Sequence, residues 1–515
     1  MSQRGARLLG VDLGAGSLKA SVVTGEGRVV GEAAQPIRTA SPRHGWAEQD
    51  PEDWYAAFCQ AVPAALTAAG VASKELAAIA ISGGAHIQVL LDGEGRVIRP
   101  AILWSDQRSS AEARELHERA GERIIATGLN RINPTWTLAQ LFWLQRHEPV
   151  AAARVARLFL SKDYLRYRVT GDWHSDFSDA VGALMADGTT RDWSPELCGL
   201  IGWPMETLPP LAGPTEVVGA VTAQAAADSG LAAGTPVVCG SNDTTVELYG
   251  VGAIEPGQGA IKLATAGVVY LATDHAAVHP PISCYPHIMP GMYYTATGTN
   301  SCASAHRWLR DGFYGPLEGG GEDAPGDGGA LFEAMDRMAG AVPTGSGGLI
   351  FHPYLQGERA PHWDPLLRAD FIGLTMRHDR RHMARALYEG IAFSLRDCLD
   401  AARDKGLVYE NFRLIGGGAR SALWRQIIAD VIGMEVMLPA CGDASFGAAL
   451  VAGVGVGLFE TPRAAVERCV TIVEQTRPDP ARHAFYSELF EVYREAQRVL
   501  APLDHRLHAL TSAAE

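Results

Sequence analysis

The sequence predicts an α/β protein made of two related domains, each opening with a strand, a small-residue turn and a returning strand. Three observations carry the prediction. First, residues 8–13 and 17–23 flank Gly14-Ala15-Gly16, and residues 260–264 and 268–272 flank Thr265-Ala266-Gly267, so one hairpin motif occurs twice. Second, short apolar runs repeatedly end in Gly, Ser or Asp and are followed by helix-compatible sequence, the pattern of buried strands feeding helices. Third, 515 residues exceed what one hydrophobic core supports. The glycine-rich stretch 250–259, with Pro256, is the expected crossing, dividing the chain into 1–250 and 251–515.

The first hairpin sets Asp12 at a strand end beside its glycine turn. That arrangement suits phosphate and Mg2+ chemistry. Backbone N–H groups approach phosphate oxygens where no Cβ intervenes, and Asp12 can hold a hard cation directly or through water. An ordinary hairpin with an incidental Asp fits the same residues. Asp50-Pro51-Glu52-Asp53 supplies an N-cap, a proline at N1 and acids at the positive helix end, predicting a helix to about residue 69 with a kink at Pro63. A strand over 76–81 ends in Ser82-Gly83-Gly84-Ala85-His86, where His86 faces either a ligand or the core. The strand 101–103 leads into Trp104-Ser105-Asp106-Gln107-Arg108. This group suits a polyhydroxylated ligand, or a surface salt bridge at a helix start. Residues 137–147 carry a helical apolar face. Ser161-Lys162-Asp163-Tyr164 starts another helix, and residues 176–179 form an acidic turn with no evident charge partner.

Val237-Val238-Cys239 runs into Gly240-Ser241-Asn242-Asp243, which puts Asp243 where a short buried strand turns into the next element. Ligands of open α/β sheets bind outside the carboxyl ends of strands. Asp is equally a favoured helix N-cap, and both readings stand at this point.

In the second half, Thr265 is placed to donate its hydroxyl to a phosphate, and facing hairpins of the two domains are expected to grip a nucleoside triphosphate. Of the five lysines, Lys19 and Lys262 lie beside the two turns, and strand alternation puts Lys262 in solvent. His275, His279 and His287 match no standard metal spacing and read as loop histidines. Residues 319–330 read as a flexible loop, and 351–365 as an irregular loop dense in Pro, aromatic and charged residues. Residues 379–404 form a long amphipathic helix. After a strand at Leu414-Ile415, the backbone of Gly416-Gly417-Gly418-Ala419 can lie flat against a planar base or ribose, ahead of a helix capped by Ser421 that ends near Gly433. Residues 442–449 open a helix with small side chains, suited to close helix packing or a nucleotide pocket. A polar-faced helix follows at 482–498.

Composition excludes several classes. A net charge of −14 argues against non-specific nucleic-acid binding. No signal-length apolar region and no apolar run of about 18 residues occurs, so a cytoplasmic protein with no membrane partner is expected. The eight cysteines never form CxxC and read as small buried hydrophobes.

Together these blocks resemble the FGGY family of carbohydrate kinases, in particular its xylulokinase branch. The likeness spans nearly the whole chain. It runs through the Asp12 turn, Trp46-x-Glu48-Gln49-Asp50-Pro51, Arg99-Pro100-Ala101-Ile102-Leu103-Trp104, Lys162-Asp163-Tyr164-Leu165 and Asp243. It continues through Pro353-Tyr354-Leu355-x-Gly357-Glu358-Arg359-x-Pro361-His362, Phe371-x-Gly373-Leu374 and Gly416-Gly417-Gly418-Ala419-Arg420-Ser421. The resemblance implies the actin-like, ribonuclease H-like ATPase fold in two domains with the active site in the cleft between them. It implies ATP-dependent phosphorylation of a sugar hydroxyl, for xylulokinases the 5-hydroxyl of D-xylulose, and a homodimer. The implied catalytic residues are Asp243, as base, and Asp12, which also holds Mg2+. The implied sugar-side residues are Ala85, His86, Trp104, Asp243 and Thr244. The implied nucleotide-side residues are Gly14, Ala15, Gly16, Ser17, Lys19, Thr265, Gly267, Gly417, Gly418 and Ala419.

Three positions depart from the xylulokinase pattern. Gly83-Gly84-Ala85-His86 stands where Gly-Gln-Met-His is usual. Thr244 replaces an Asn or Gln, and Leu263-Ala264-Thr265-Ala266-Gly267 replaces Leu-Gly-Thr-Ser-Gly. The first two leave open another FGGY substrate, such as ribulose, glycerol or gluconate. The third bears on ATP affinity. From a different class, a catalytically silent sugar sensor or actin-like ATPase is the alternative, against which the retention of Asp12 and Asp243 argues.

Overall fold

Alternation along the first strand explains how the first sheet is built. Leu9, Val11 and Leu13 point to one face and pack with Trp54, Phe58, Ala61, Val62 and Ala65 of the helix Pro51–Ala69. Leu8 points to the other face and packs with Ala448, Ala449 and Ala452 of the helix Ala444–Gly455. The sheet is therefore covered on both sides, as its parallel central strands require. The computed structural model describes residues 5–314 and 328–512. Residues 319–327, most of the expected flexible loop, lie outside the described residues, and its last three residues begin the helix Gly328–Gly340.

The strands are β1 (Arg7–Leu13), β2 (Ser17–Thr24), β3 (Val29–Pro36), β4 (Leu76–Gly83), β5 (Val217–Ala220) and β6 (Pro236–Val238). They lie in the order β5-β6-β4-β1-β2-β3. β1 is antiparallel to β2 and parallel to β4, β4 is parallel to β6, and β6 is antiparallel to β5. A second sheet contains β7 (Gln258–Leu263), β8 (Gly267–Thr273), β9 (Asn411–Ile415), β10 (Val436–Pro439) and β11 (Ile472–Thr476). Here β7 is antiparallel to β8 and parallel to β9, β9 is parallel to β10, and β10 is antiparallel to β11. The two sheets thus repeat one pattern of neighbours and directions. The twice-used hairpin in the sequence is β1–β2 and β7–β8.

The chain divides into two compact units, and they are not contiguous in sequence. One comprises Met1–Pro256, Ala272–Thr295 and Cys441–Thr471, the other Gly257–Leu271, Ala296–Ala440 and Ile472–Glu515. The helix Ala444–Gly455 belongs to the first unit because its small residues let backbone meet backbone. A Cβ on Gly10 would lie 1.8 Å from the Ser445 carbonyl oxygen, and one on Gly447 would lie 1.9 Å from that of Val246. Of the two expectations for this segment, close helix packing is the one observed.

Helix signals behave as expected. Asp50 caps Pro51–Ala69, and the helix runs on through Pro63. Asp379 caps Arg380–Arg403, Ser421 caps Ala422–Ile432, and the final helix is longer than expected, Pro480–Ser512. Among the described residues no helix is long and apolar enough to cross a membrane.

The Gly10 contact makes a prediction. Gly10→Ala forces a methyl into the Ser445 backbone, so overpacking of about 2 kcal/mol or more is expected, read as a melting temperature lower by several degrees. Gly93→Ala, where no atom stands within 4 Å of the added methyl, leaves the melting temperature unchanged. Equal melting temperatures for both variants would show that the helix does not bear on β1 this closely.

Candidate active site

β6, β4 and β1 are adjacent and parallel, so their carboxyl ends open on the same edge of the sheet. That edge carries Asp243, the Ser82–His86 turn and Asp12. Gly83 pairs with Asn242, and the Gly84 N–H donates to the Leu13 carbonyl at 3.0 Å, which ties the three ends together. Asp12 is half-buried, and one of its oxygens accepts the Ser82 hydroxyl at 2.9 Å. Two strand spacings separate the β1 and β6 ends, roughly 10 Å. The two acids therefore stand on strand ends that are separated by the end of β4.

Asp243 is not the helix cap. Asn242 takes that position, its side-chain oxygen accepting the Thr245 N–H at 2.9 Å, and Asp243 is the first helical residue of Asp243–Gly250. Its Oδ1 accepts the Thr244 N–H at 2.7 Å and the Thr244 hydroxyl at 3.2 Å. Gly240, at φ +74, lets this segment turn, since a Cβ there would strike the Ile81 carbonyl oxygen at 2.3 Å.

His86 is buried, at φ +50, in a backbone region rare for non-glycine residues. Its ring stacks on Trp136 with centroids 4.9 Å apart, Trp136 stacks on Tyr285, and Tyr285 on Tyr294. Burial lowers the His86 pKa to about 4, so the ring is neutral at physiological pH. Its Nδ1 and the Trp136 Nε1 have no hydrogen-bond partner among the described residues, which leaves polar atoms beside an aromatic wall. Carbohydrate sites share these features, an aromatic face with a few fixed polar groups.

Beneath His86 lies a fully buried charge cluster. Lys162 Nζ stands 2.5 Å from Asp163, 3.5 Å from Asp176 and 3.8 Å from Asp179. The acidic turn at 176–179, which had no evident partner in sequence, therefore has a lysine from a different helix. Burial opposes its ionisation, yet the surrounding acids, Asp163 foremost, hold Lys162 charged beyond the ordinary lysine range. Burial likewise opposes the charge on Asp163, but Lys162 and Arg166 outweigh it and lower that pKa.

The first small-residue turn, Gly14-Ala15-Gly16, is held from below. Gly14 N–H donates to the Ser17 carbonyl at 3.0 Å, and the buried Gln49 side chain donates to the Ala15 carbonyl at 2.6 Å. Ala15 and Gly16 stay exposed. In the second unit, the Thr265 hydroxyl accepts from Arg307 at 3.0 Å, and Cys302 N–H donates to the Thr265 carbonyl at 3.1 Å. Gly267 faces Thr299, whose Oγ1 would lie 3.0 Å from an added Cβ. The triple-glycine turn follows β9 and leans on the end of β7. Gly416, at φ +83, and Gly418 would each press a Cβ into Leu263, at 2.6 and 2.8 Å, whereas Gly417 faces open space. This turn stands at the position in the second sheet that Gly83-Gly84 occupies in the first. Ala419 is buried.

Several expectations change. Asp106 and Arg108 are neither ligand-facing nor a surface pair. They are buried against each other at 2.7 Å, with Arg108 also on Glu48 at 2.7 Å and 3.7 Å above the Trp46 ring. Trp104, 47% exposed and beside Gly84, remains on the surface of that motif together with Ser105 and Gln107. Lys19 is bound by Asp443 at 2.7 Å and Glu32 at 2.8 Å. Lys262 is half-buried rather than in solvent. His287 is buried, with its pKa lowered to about 3 by burial, rather than a solvent loop histidine. No group of three metal-ligating side chains occurs among the described residues. Sequence reasoning missed Gln49, Trp136, Tyr285 and Asp179. Of these, Gln49 lay within a motif of the family resemblance and Asp179 in an acidic turn that needed a buried cation.

Residues 7–250 match the model for the N-terminal domain of the FGGY family of carbohydrate kinases, and residues 260–456 the model for its C-terminal domain. The xylulose kinase of Escherichia coli (strain K12) is 33% identical over 504 residues, covering 96% of this chain and 99% of that protein. The xylulose kinase of Bacillus subtilis (strain 168) is 31% identical over 490 residues, covering 95% and 96%. The crystal structure of xylulose kinase from Rhodospirillum rubrum matches with a TM-score of 0.86 at 31% identity, covering 97% of this chain and 100% of that one.

The irregular stretch after Phe351 contains a titrating group. Glu358 is buried and accepts the N–H groups of Asn300 and Arg359, each at 2.7 Å. Burial raises its pKa to about 7 despite those bonds. The folded chain therefore holds a proton that the unfolded chain releases, and stability falls as pH rises from about 4.5 to 7. At 1.36 kcal/mol per pH unit the loss is on the order of 3 kcal/mol. Glu358→Gln should lose less melting temperature between pH 5 and pH 8 than the parent. Identical pH dependence in the two proteins would refute the assignment.

Proposed function

The chain belongs to the FGGY family of carbohydrate kinases, and on that premise we propose that it transfers the γ-phosphoryl group of ATP to the 5-hydroxyl of a ketopentose, D-xylulose giving D-xylulose 5-phosphate. The observation that carries the chemistry is Asp243 at the carboxyl end of β6, on the sheet edge that also carries Asp12 and the His86 turn. The near full-length likeness to xylulose kinases supports the sugar.

Asp243 acts as proton acceptor within a limit set by acidity. A free aspartate has a pKa of about 3.9, and water-like hydroxyls lie near 15.7. Full deprotonation before attack would cost about 16 kcal/mol. Phosphoryl transfer has a loose transition state in which the nucleophile commits late. Asp243 therefore orients the hydroxyl and takes its proton as the O–P bond forms, while the other phosphoryl bond, to ADP, breaks. Thr244 fixes the carboxylate rotamer. Ala85, His86 and Trp104 are the sugar-side contacts of this reading.

Asp12 suits Mg2+. Its carboxylate is half-buried with one oxygen partly engaged by Ser82, and Mg2+ commonly takes one or two carboxylates, substrate phosphates and water. When bound, the ion neutralises charge on the phosphate oxygens. Backbone groups of Gly14, Ala15, Gly16 and Ser17, with Thr265 and Gly267, receive the phosphates, and Gly417, Gly418 and Ala419 the adenosine. Lys19 supports the first turn from its contact with Asp443 rather than as a free phosphate ligand.

A second reading, another FGGY sugar, rests on Gly84-Ala85, where xylulokinases carry two larger side chains. Coupled ADP detection over a sugar panel decides between them. Turnover of D-xylulose with kcat/KM above that for ribulose, glycerol and gluconate is expected, and turnover of another sugar alone overturns the D-xylulose assignment. Asp243→Asn is expected to lower kcat by about 10²- to 10⁴-fold with sugar KM changed by less than about threefold. Retained kcat removes Asp243 from the chemistry.

A further inference from the structure

We infer that the buried Lys162–Asp163–Asp176–Asp179 cluster is a positioning element that fixes the His86 turn relative to the segment carrying Asp243, with Asp179 as the anchor of His86. The inference rests on the functional reading above and extends it to residues that touch neither sugar nor ATP.

Two chain segments, 162–163 and 176–179, supply the acids around the Lys162 ammonium, and hydrogen bonds tie two more segments to those acids. The His86 N–H donates to Asp179 Oδ1 at 2.7 Å. His86 sits at φ +50, a conformation costing about 1–3 kcal/mol that persists only where surroundings enforce it. On the other side, Ser241 Oγ donates to Asp176 Oδ1 at 2.8 Å, two residues before Asp243. Arg166 donates to the Cys239 carbonyl at 2.7 Å and to Asp163 at 2.8 Å. Asp176 also caps the short helix Phe177–Gly182 that carries Asp179. A displacement of the cluster therefore moves both the sugar-side histidine and the base segment. A misplacement of about 1 Å is enough to cost on the order of 10² in rate.

Charge counting fixes the state of Asp179. The cluster is buried and contains two cations, Lys162 and Arg166, and three carboxyl groups. Asp163 lies against both cations and also accepts the Ser175 hydroxyl at 2.6 Å. Asp176 is nearer the ammonium than Asp179, and accepts Ser241 and the Asp179 N–H. Asp179 Oδ2 has no hydrogen-bond partner among the described residues. A third uncompensated anion at this depth is too costly, so Asp179 carries a proton. Burial, the largest effect, and the neighbouring acids raise its pKa well above the ordinary aspartate value against the opposing pull of Lys162. What His86 needs from Asp179 is then an acceptor oxygen, not a charge.

The test uses Asp179→Asn, Asp179→Ala and Ser241→Ala in the full chain. Sugar binding is read from tryptophan fluorescence, because Trp136 stacks on His86, and kcat and KM are measured for the sugar that the parent protein turns over best. Asp179→Asn keeps a neutral acceptor and should retain kcat/KM within about threefold. Asp179→Ala should raise both the sugar Kd and sugar KM about tenfold, with KM for ATP unchanged. Ser241→Ala should lower kcat about tenfold with sugar binding unchanged. Asp179→Asn as impaired as Asp179→Ala, or Asp179→Ala raising both KM values equally, overturns the inference. If Asp179→Ala does not fold, Asp179→Asn and Ser241→Ala still decide it. A parent protein that binds sugar without phosphorylating it overturns the kinase assignment instead, and leaves the binding comparison readable.

Discussion

Lys162 is a charge with no access to water, and the candidate active site depends on how that charge is satisfied. An ammonium at this depth is tolerable only with close anions. Here they come from its own helix and from the acidic turn at 176–179, and the groups bonded to those anions reach His86 and Ser241. Replacing such a cluster with apolar residues is often neutral or favourable for stability. Its value in this protein is geometric: it fixes where two neighbouring strand ends stop and turn.

The sheet supplies the other half of the geometry. Parallel strands β1, β4 and β6 bring three carboxyl ends together, and each end carries different chemistry: an acid beside a small-residue turn, a glycine turn with a buried neutral imidazole, and a second acid at the start of a helix. Close backbone contact makes this possible. Gly10, Gly240 and Gly447 each meet a backbone carbonyl oxygen at a distance that admits no side chain. The second sheet repeats the same strand directions, and its glycine turn at 416–418 stands at the end of β9 as Gly83-Gly84 stands at the end of β4. One architecture, used twice, thus ends in a glycine turn at the corresponding strand of each unit.

Much of this was legible in the chain itself. The repeated hairpin, the helix starts at Asp50, Asp379 and Ser421 and the strand ends at Asp12, Ser82 and Asp243 depend on neighbours within a few residues, so local sequence determined them. Family resemblance supplied the reaction class. Side-chain partnerships across long separations were not legible. Asp106 and Arg108 looked available for a ligand, yet Glu48 and Trp46, some sixty residues earlier, bury them. Asp243 could have been a ligand-facing acid or a cap, and Asn242 holds the cap position. The helix 444–455 lies late in the sequence and packs on the first strand. Local sequence determined which elements form and where they end, because propensity, capping and alternation act over a few residues. Tertiary structure alone decided which polar groups face the site and which neutralise each other, because burial and charge pairing depend on residues far apart in the chain.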